Sequence, residues 1–237
     1  YERTGNLIRE HLQTAKEPIE RIYYLVQLYK TESIGGYTYK KNQVAWQTLE
    51  AIQKVGQIPA IGLEFLYLFG LDCVFGGLNE MAKELFDKCI QAAPQYPDPY
   101  FGMMVLYERE KDWNELLKWG KKFFEVLDDA MKNVEKFEWT IMSFKQIPLA
   151  NILMARSSLK TGDFEGFNQY LKDTFSEENV TLERNNVYVL LQDINETIKD
   201  KKELESILPG ITTLVESLEK EGMVIYYDSL IEKIADL

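Results

Sequence analysis

The segment Gly76–Gly102, "GGLNEMAKELFDKCIQAAPQYPDPYFG", has the residue order of a turn, an amphipathic helix and the start of another helix. Gly76-Gly77 allows the backbone to reverse, because glycine adopts positive φ without steric cost. Ala82 is small, which suits a closely approaching neighbour helix, and we expect Phe86 to fill the space beside it. Pro94 ends the helix. The segment therefore predicts a hairpin of two antiparallel helices.

The same order of residues recurs along the chain. A turn at Lys111-Asp112-Trp113 follows Gly77 by 34 residues, and a further turn at Thr161-Gly162-Asp163 follows that one by 51 residues. The additional length predicts one more helix over Met131–Gln146. A degenerate unit precedes these, with its turn at Gly35-Gly36. Apolar residues follow the 3.6-residue period throughout, so we predict an all-α fold.

The segment Leu63–Tyr96 resembles the tetratricopeptide repeat, a pattern of large, small and aromatic residues on two helices that ends in proline. The resemblance covers Ile19–Phe175 and implies a right-handed α-solenoid of antiparallel helix pairs. Leu116 and Gly120 depart from the pattern, where a small and an aromatic residue are expected. We therefore predict a degenerate repeat array over residues 1–175. The positions that carry the resemblance are Leu66, Phe69-Gly70, Cys73, Gly77, Ala82, Phe86, Cys89 and Pro94.

Residues 176–237 lack the repeat signature and are predicted to form capping helices continuous with the array. The helices expected here are Thr181–Lys199, Glu203–Glu221 and Val224–Ala235. Terminal units of solenoids are commonly atypical because they cover the exposed end of the core. An alternative role for the last helix, through Tyr227, Leu230 and Ile234, is a homodimer contact.

The composition limits the classes of partner. A formal net charge of −11 and a pI near 4.8 oppose phosphate binding, so we expect neither nucleic acid nor membrane insertion. The sequence contains no signal peptide and no apolar run of about 18 residues, which favours a cytoplasmic location. Cys73 and Cys89 lack a metal-like spacing and are expected to be buried, reduced thiols.

Chemistry-bearing motifs are missing from the sequence. The single histidine, His11, has no companion ligand for zinc, and no phosphate-loop, dinucleotide or nucleophile-elbow motif occurs. We therefore predict no catalytic residue, no cofactor and no metal site. This chain alone is not expected to be an enzyme, although a fold never excludes an activity.

The repeat resemblance also implies where a partner binds. In such arrays the first helix of each pair lines the concave surface, which we expect to hold an extended peptide or to stack on sugar rings. The alternative is that these aromatic side chains pack as core. The residues that the resemblance places in the groove are Tyr23, Gln27, Tyr67, Phe75, Phe101, Glu108, Arg109 and Arg156.

The opening segment Asn6–Ser33 resembles the region that follows the catalytic domain in some bacterial family-2 glycosyltransferases. The matching residues are Asn6-Leu7, Tyr23-Tyr24-Leu25 and Tyr29. The resemblance implies a non-catalytic helical-repeat part of a larger bacterial protein, which holds an acceptor protein or mediates assembly. The metal-binding Asp-x-Asp motif of such enzymes does not occur in the 237 residues. A chain that begins at Tyr1 fits a piece of a longer protein. The alternative function is a peptide-sensing regulatory repeat domain of a signalling protein.

Overall fold

The structure, a computed structural model, describes residues 1–133, 135, 140–176 and 184–220. This part of the chain contains eleven α-helices and no strand, which confirms the all-α prediction. The helix predicted over Val224–Ala235 lies outside the described residues, as do Tyr227, Leu230 and Ile234. The helices are α1 (Glu2–Thr14), α2 (Pro18–Ile34), α3 (Thr38–Gln53), α4 (Ala60–Phe75), α5 (Asn79–Ala92), α6 (Asp98–Glu110), α7 (Trp113–Lys132), α8 (Ile147–Lys160), α9 (Phe164–Thr174), α10 (Arg184–Thr197) and α11 (Lys201–Lys220).

The apolar stripes expected on α2 and α3 are the faces that these helices bury. Pro18 lies in the first turn of α2, where its missing N–H costs no hydrogen bond. Because the stripes recur every three to four residues, one face of each helix leaves water. The buried stripe residues are Ile22, Leu25, Val26 and Tyr29 on α2, and Val44, Ala45, Leu49 and Ile52 on α3.

The chain divides into two compact units. The first comprises Tyr1–Gly102 with Asp129–Thr140, and the second comprises Met103–Asp128 with the chain from Ile141 onward. The predicted change of character between residues 175 and 176 borders residues 177–183, which lie outside the described part, and it stays a prediction.

Helices pack in a repeated manner within each unit. In the first unit α2 packs against α3, α4 packs against α5, and α2 also contacts α4. In the second unit α8 packs against α9 and α10, and α9 also packs against α11. Both α2 and α8 thus contact the helix that follows them and the helix after that. The result is a helical, repeat-like all-α fold.

Four of the turns between consecutive helices share one backbone geometry. At Gly77 the φ angle is +75°, the Leu78 N–H donates to the Cys73 carbonyl at 2.8 Å, and the Gly77 N–H donates to the Val74 carbonyl at 3.1 Å. This pair of bonds is a Schellman motif, which satisfies the last carbonyls of a helix. The predicted turn positions are confirmed. The same pair of bonds and a positive φ occur at Gly36 (73°), Lys111 (57°) and Gly162 (79°).

Phe86 of α5 lies between two glycines on neighbouring helices. A Cβ atom built on Gly70 of α4 would be 2.4 Å from the Phe86 Cε1 atom, and one built on Gly102 of α6 would be 2.5 Å from it. Real Cβ contacts are almost never shorter than 3.0 Å, so only glycine fits at either position. Phe86 and Ala82 are both fully buried, as the segment predicts.

The second unit accommodates the two departures from the repeat pattern. Leu116, in place of a small residue, is fully buried. At Gly120, in place of an aromatic residue, a Cβ atom would be 2.0 Å from the Met154 sulfur of α8 and 3.2 Å from Met104 Cε of α6. Two flexible methionines therefore fill the space beside Gly120, as this side chain readily does in irregular gaps.

Helix α11 continues through Pro209, and an asparagine of α9 bonds to the backbone on both sides of it. Pro209 has no N–H to donate to the Glu205 carbonyl, and its ring disturbs the turn that precedes it. The Asn168 Oδ1 accepts from the Gly210 N–H at 2.8 Å, and the Asn168 Nδ2 donates to the Ser206 carbonyl at 2.8 Å. One side chain of α9 thus satisfies both groups.

The helix predicted over Met131–Gln146 is not formed as one element. Met131 and Lys132 end α7, Thr140 is not helical, and Ser143–Gln146 form a short 3-10 helix before α8. The β-branched pair Thr140-Ile141 disfavours helix, which is a physical reason for the interruption. Residues 134 and 136–139 lie outside the described part of the chain.

Candidate functional site

The side chains predicted to line a groove differ widely in exposure. In the first unit Tyr23 and Phe75 are 47% and 63% exposed, and Gln27 is half-buried. In the second unit Arg109 is exposed, Glu108 is half-buried, and Arg156 is only 8% exposed. The remaining two, Tyr67 and Phe101, belong to the core of the first unit. Location on the first helix of a pair does not by itself make a residue accessible.

Tyr67 and Phe101 are each 3% exposed, so neither ring offers a surface to a partner. Both residues are part of the core, as the alternative prediction states, so the prediction that they line a groove is wrong. The Tyr67 ring lies 6.4 Å from the Phe86 ring, centroid to centroid. Burial raises the pKa of the Tyr67 phenol, and the negative charge of Asp98 raises it further. The sequence of α4 is apolar on nearly all sides, which is the signal for burial on more than one face.

Two of the predicted residues, Glu108 and Arg156, are brought together in the second unit. The Arg156 Nη1 donates to the Glu108 Oε1 at 2.8 Å, and the Arg156 Nε donates to the Asp193 Oδ2 at 2.6 Å. Lys160 lies 2.9 Å from Asp193 and 3.2 Å from Glu196. We call this set of five residues the Arg156 cluster; it joins α6, α8 and α10.

The guanidinium of Arg156 is held as a cation inside this cluster. Burial opposes its charge, but the hydrogen bonds that it donates to Asp193 and Glu108 outweigh that effect, and the pKa of Arg156 is raised. The Trp113 ring lies 5.5 Å from the guanidinium carbon, within cation–π range. Because Arg156 is only 8% exposed and is paired with carboxylates on two other helices, it connects helices and is poorly placed to bind a ligand. Removing one partner of such a buried pair costs about 3–5 kcal/mol.

Asp193, the second carboxylate that pairs with Arg156, was not predicted from the sequence. It lies on α10, beyond the part of the chain that resembles the repeat, 37 residues from Arg156. The sequence does contain an indication of this role, because Asp193 is an acidic residue surrounded along its helix by the apolar residues Leu190, Leu191 and Ile194. A carboxylate on a buried face requires a cationic partner.

Similar polar links join α2, α3 and α4 in the first unit. Lys30 of α2 pairs with Glu64 of α4, and Lys41 of α3 lies 2.8 Å from Asp72 of α4. The Tyr29 hydroxyl also donates to Asp72, and burial together with that carboxylate raises the pKa of Tyr29. The charged groups on these helices therefore serve to connect α2, α3 and α4.

The largest accessible aromatic side chains on α3 were not predicted as site residues. Tyr39 is 82% exposed and Trp46 is 59% exposed. They are seven residues apart, almost two helical turns, and so project from the same face of α3. We call these two residues the α3 aromatic face. The sequence shows both residues outside the apolar stripe that α3 buries, which indicates exposed aromatic side chains. They were overlooked because the resemblance makes α3 the second helix of its pair, and only first helices were expected to line the groove.

Trp46 is exposed, and its ring also packs against aromatic side chains of the core. Its ring meets the Phe69 ring edge to face, with centroids 6.3 Å apart and an interplanar angle of 79°. Phe69 stacks on Phe65 at 5.6 Å, and Tyr29 meets Phe65 edge to face at 5.1 Å. Such aromatic contacts each contribute about 0.5–1.5 kcal/mol beyond burial. The core therefore restrains the indole while more than half of its surface faces solvent.

Each unit contains a groove lined by described residues. In the second unit an open groove of about 620 Å³ runs between α9 and α11, beside Asn168 and Pro209. In the first unit a groove of about 490 Å³ lies between α1, α2 and α3, and we call it the α1–α3 groove. Its lining comprises two cations, three carboxamides and three aliphatic side chains: Arg9, Lys40, Asn6, Gln43, Gln47, Leu12, Leu28 and Val44.

The remaining chemistry-bearing side chains form no further site in the described part of the chain. Cys73 and Cys89 are free and buried, and burial, followed by the charge of Asp72, raises the pKa of Cys73 to about 11. Among the described residues, no three His, Cys, Asp or Glu side chains are grouped so as to hold a metal ion. His11 is exposed and stacks on Tyr24, with ring centroids 5.3 Å apart. None of the described helices combines the length and apolar character needed to cross a bilayer.

No protein-family model matches this sequence, and no curated protein is significantly similar to it.

Proposed function

We propose that this chain is a protein- or peptide-binding scaffold module whose partner docks on the α3 aromatic face. The single observation that carries the proposal is Trp46, which is restrained by Phe69 and yet 59% exposed. Tryptophan and tyrosine held in this way are the residue types that dominate binding energy at protein interfaces. An anchored ring also loses little conformational freedom when a partner covers it.

The construction of the fold supports a scaffold. Helical hairpins joined by the same Schellman turn recur in both units, and repeat-like helices present extended faces to partners. The ion pairs described above use charged groups to connect neighbouring helices. Recognition is therefore assigned to an outward face of α3, and the predicted Tyr23 of α2, in the same unit, is exposed as well.

The proposed setting is the non-catalytic helical-repeat part of a larger bacterial protein, such as a glycosyltransferase with a tetratricopeptide-like array. The support for this setting is the resemblance over Asn6–Ser33 and the repeat resemblance over Ile19–Phe175. In this setting the module holds an acceptor protein, and the sugar-transfer chemistry belongs to another part of the protein. Reconstituting transfer with and without this module would test the setting.

The docking proposal is tested with peptides selected from a random 12-residue phage-displayed library on the immobilised chain. Affinities of the selected peptides are then measured by fluorescence anisotropy against variants. We expect Trp46→Ala to weaken binding at least tenfold, which corresponds to about 1.4 kcal/mol. The matched control is Tyr188→Ala, on α10 in the second unit, because Tyr188 is also 59% exposed.

The control should change the affinity less than twofold. Circular dichroism should show that both variants remain folded, because neither side chain is part of the core. Equal affinities of the parent and Trp46→Ala proteins for every selected peptide would refute docking on the α3 aromatic face.

A further inference from the structure

The charge of the chain is unevenly distributed. Residues 1–54, which span α1, α2 and α3, contain 8 Lys and Arg against 6 Asp and Glu, whereas the remaining residues contain 19 against 32. The helices that form the α1–α3 groove are thus the basic part of an acidic chain. A charge asymmetry of this kind directs oppositely charged partners to one region.

The ionisable side chains that line the α1–α3 groove are also basic. These side chains, Arg9 and Lys40, are both cations. Arg9 pairs through Nη2 with Glu32, which is buried beneath it, and its Nη1 lies 3.3 Å from the Asn6 Oδ1. The Lys40 ammonium lies 4.9 Å from the centre of the Tyr37 ring. Glu32 is thus the carboxylate that faces the groove cations, and it contacts only one of them.

The other lining residues suit a peptide. Leu28 and Val44 are buried and form an apolar floor together with the half-buried Leu12. Asn6, Gln43 and Gln47 are exposed carboxamides, each able to donate and to accept hydrogen bonds. Lys40 and Gln47 are two helical turns apart, about 10.5 Å, which is the length of about three extended residues.

We propose that the α1–α3 groove binds an acidic peptide segment that carries aliphatic side chains. Its carboxylates pair with Lys40 and with the outer edge of Arg9. Its aliphatic side chain lies on the floor of the groove, and the carboxamides bond its backbone. The proposal rests on the proposed function and specifies the partner's chemistry.

The two surfaces lie side by side on one helix. Lys40 follows Tyr39 in the chain and Gln47 follows Trp46, so a segment seated in the groove reaches the α3 aromatic face. Nucleic acid is the other anionic class, but two cations in a chain of net charge −11 give too little phosphate neutralisation for it.

The test uses three fluorescein-labelled nine-residue peptides that differ only in charge. The first is Gly-Ser-Glu-Leu-Asp-Leu-Glu-Ser-Gly; the second replaces its acids with Gln and Asn, and the third replaces them with Lys and Arg. Fluorescence anisotropy with the whole chain should show at least tenfold tighter binding of the acidic peptide than of the neutral one. The basic peptide should bind more weakly than both, and salt should weaken acidic binding.

Lys40→Glu should lower the affinity for the acidic peptide at least tenfold. The matched control is Lys54→Glu, which changes the net charge by the same amount directly after the end of α3, where Lys54 pairs with the exposed Glu50. That control should change the affinity less than threefold. Lys40→Arg should retain binding, which separates the loss of charge from a disturbed fold.

The proposal is overturned if the acidic peptide binds no tighter than the neutral one, or if Lys40→Glu and Lys54→Glu weaken it equally. Library peptides that require Trp46 but carry no acidic residues would overturn the acidic preference while leaving the proposed function in place. Acidic peptides that require Lys40 but bind the Trp46→Ala protein normally would support binding in the α1–α3 groove. The same result would refute docking on the α3 aromatic face.

Discussion

Replacing Gly102 with alanine should destabilise the first unit through a single atom. The added Cβ would lie 2.5 Å from Cε1 and 2.6 Å from Cζ of Phe86, and the equivalent atom at Gly70 would lie 2.4 Å from Cε1. The Phe86 ring is fully buried, so it cannot move into solvent to relieve the clash. Overpacking a core costs about 1–3 kcal/mol, and contacts of 2.5 and 2.6 Å with a fully buried ring place this site in the upper part of that range, at about 2–3 kcal/mol. Alanine regains about 1 kcal/mol as the better helix former, so we expect a net loss of about 1–2 kcal/mol.

The free energy of unfolding of Gly102→Ala and Gly70→Ala would be measured by urea titration followed at 222 nm. The matched control is Gly56→Ala, because a Cβ atom at Gly56 would meet nothing within 4 Å. Its stability should stay within about 0.5 kcal/mol of the parent, as is usual away from packed sites. A second arm adds Phe86→Leu to the Gly102→Ala variant, since a smaller side chain leaves room for the new methyl group.

The double-mutant cycle for Phe86→Leu and Gly102→Ala should give a coupling energy of at least about 1 kcal/mol, because the two residues are in contact. If Gly102→Ala is as stable as the parent, or if the two substitutions are simply additive, Phe86 does not pack between the two helices as described. If Gly56→Ala loses as much stability as Gly102→Ala, the loss reflects glycine replacement in general and not the clash.

Three further substitutions probe the backbone connections. Lys111→Gly should raise the free energy of unfolding by about 0.5–1 kcal/mol, because its φ of 57° strains a residue with a Cβ, whereas Gly77→Ala should lower it by about 1–2 kcal/mol although its Cβ would meet no atom within 4 Å. Shifts of the same sign in thermal melts would contradict this explanation of the Schellman turns. Asn168→Ala should cost about 1–3 kcal/mol and accelerate amide exchange at Gly210, because it leaves the backbone groups beside Pro209 without their bridge. Gln169→Ala, which loses only an exposed bond to Asp173, is the control, and equal losses would count against the bridge.

Much of the local structure could be predicted from the sequence. The 3.6-residue period located the buried stripes of α2 and α3, and the glycines at residues 36, 77 and 162 located turns. The pairing of a small residue with a large one led to the burial of Ala82 and Phe86. These features follow from bond geometry and steric fit within a few turns of one helix, so residues close together in the sequence are enough to predict them.

The candidate site was much less predictable. The resemblance placed Tyr67 and Phe101 in a groove, but both are core, while the exposed Trp46 was overlooked. A helix such as α4, apolar on nearly every side, does not indicate which of its faces a neighbour will cover. That depends on helices tens of residues away, whose approach no local pattern records.

The polar contacts were also predictable only in part. The sequence identified Arg156 as a charged residue on α8, but its environment is set by Glu108, 48 residues before it, and Asp193, 37 residues after it. Whether a cation binds a partner or fastens helices depends on which carboxylates reach it after folding. Periodicity and turn chemistry act along the chain and can be read there, whereas exposure and ion pairing arise between segments that meet only in three dimensions.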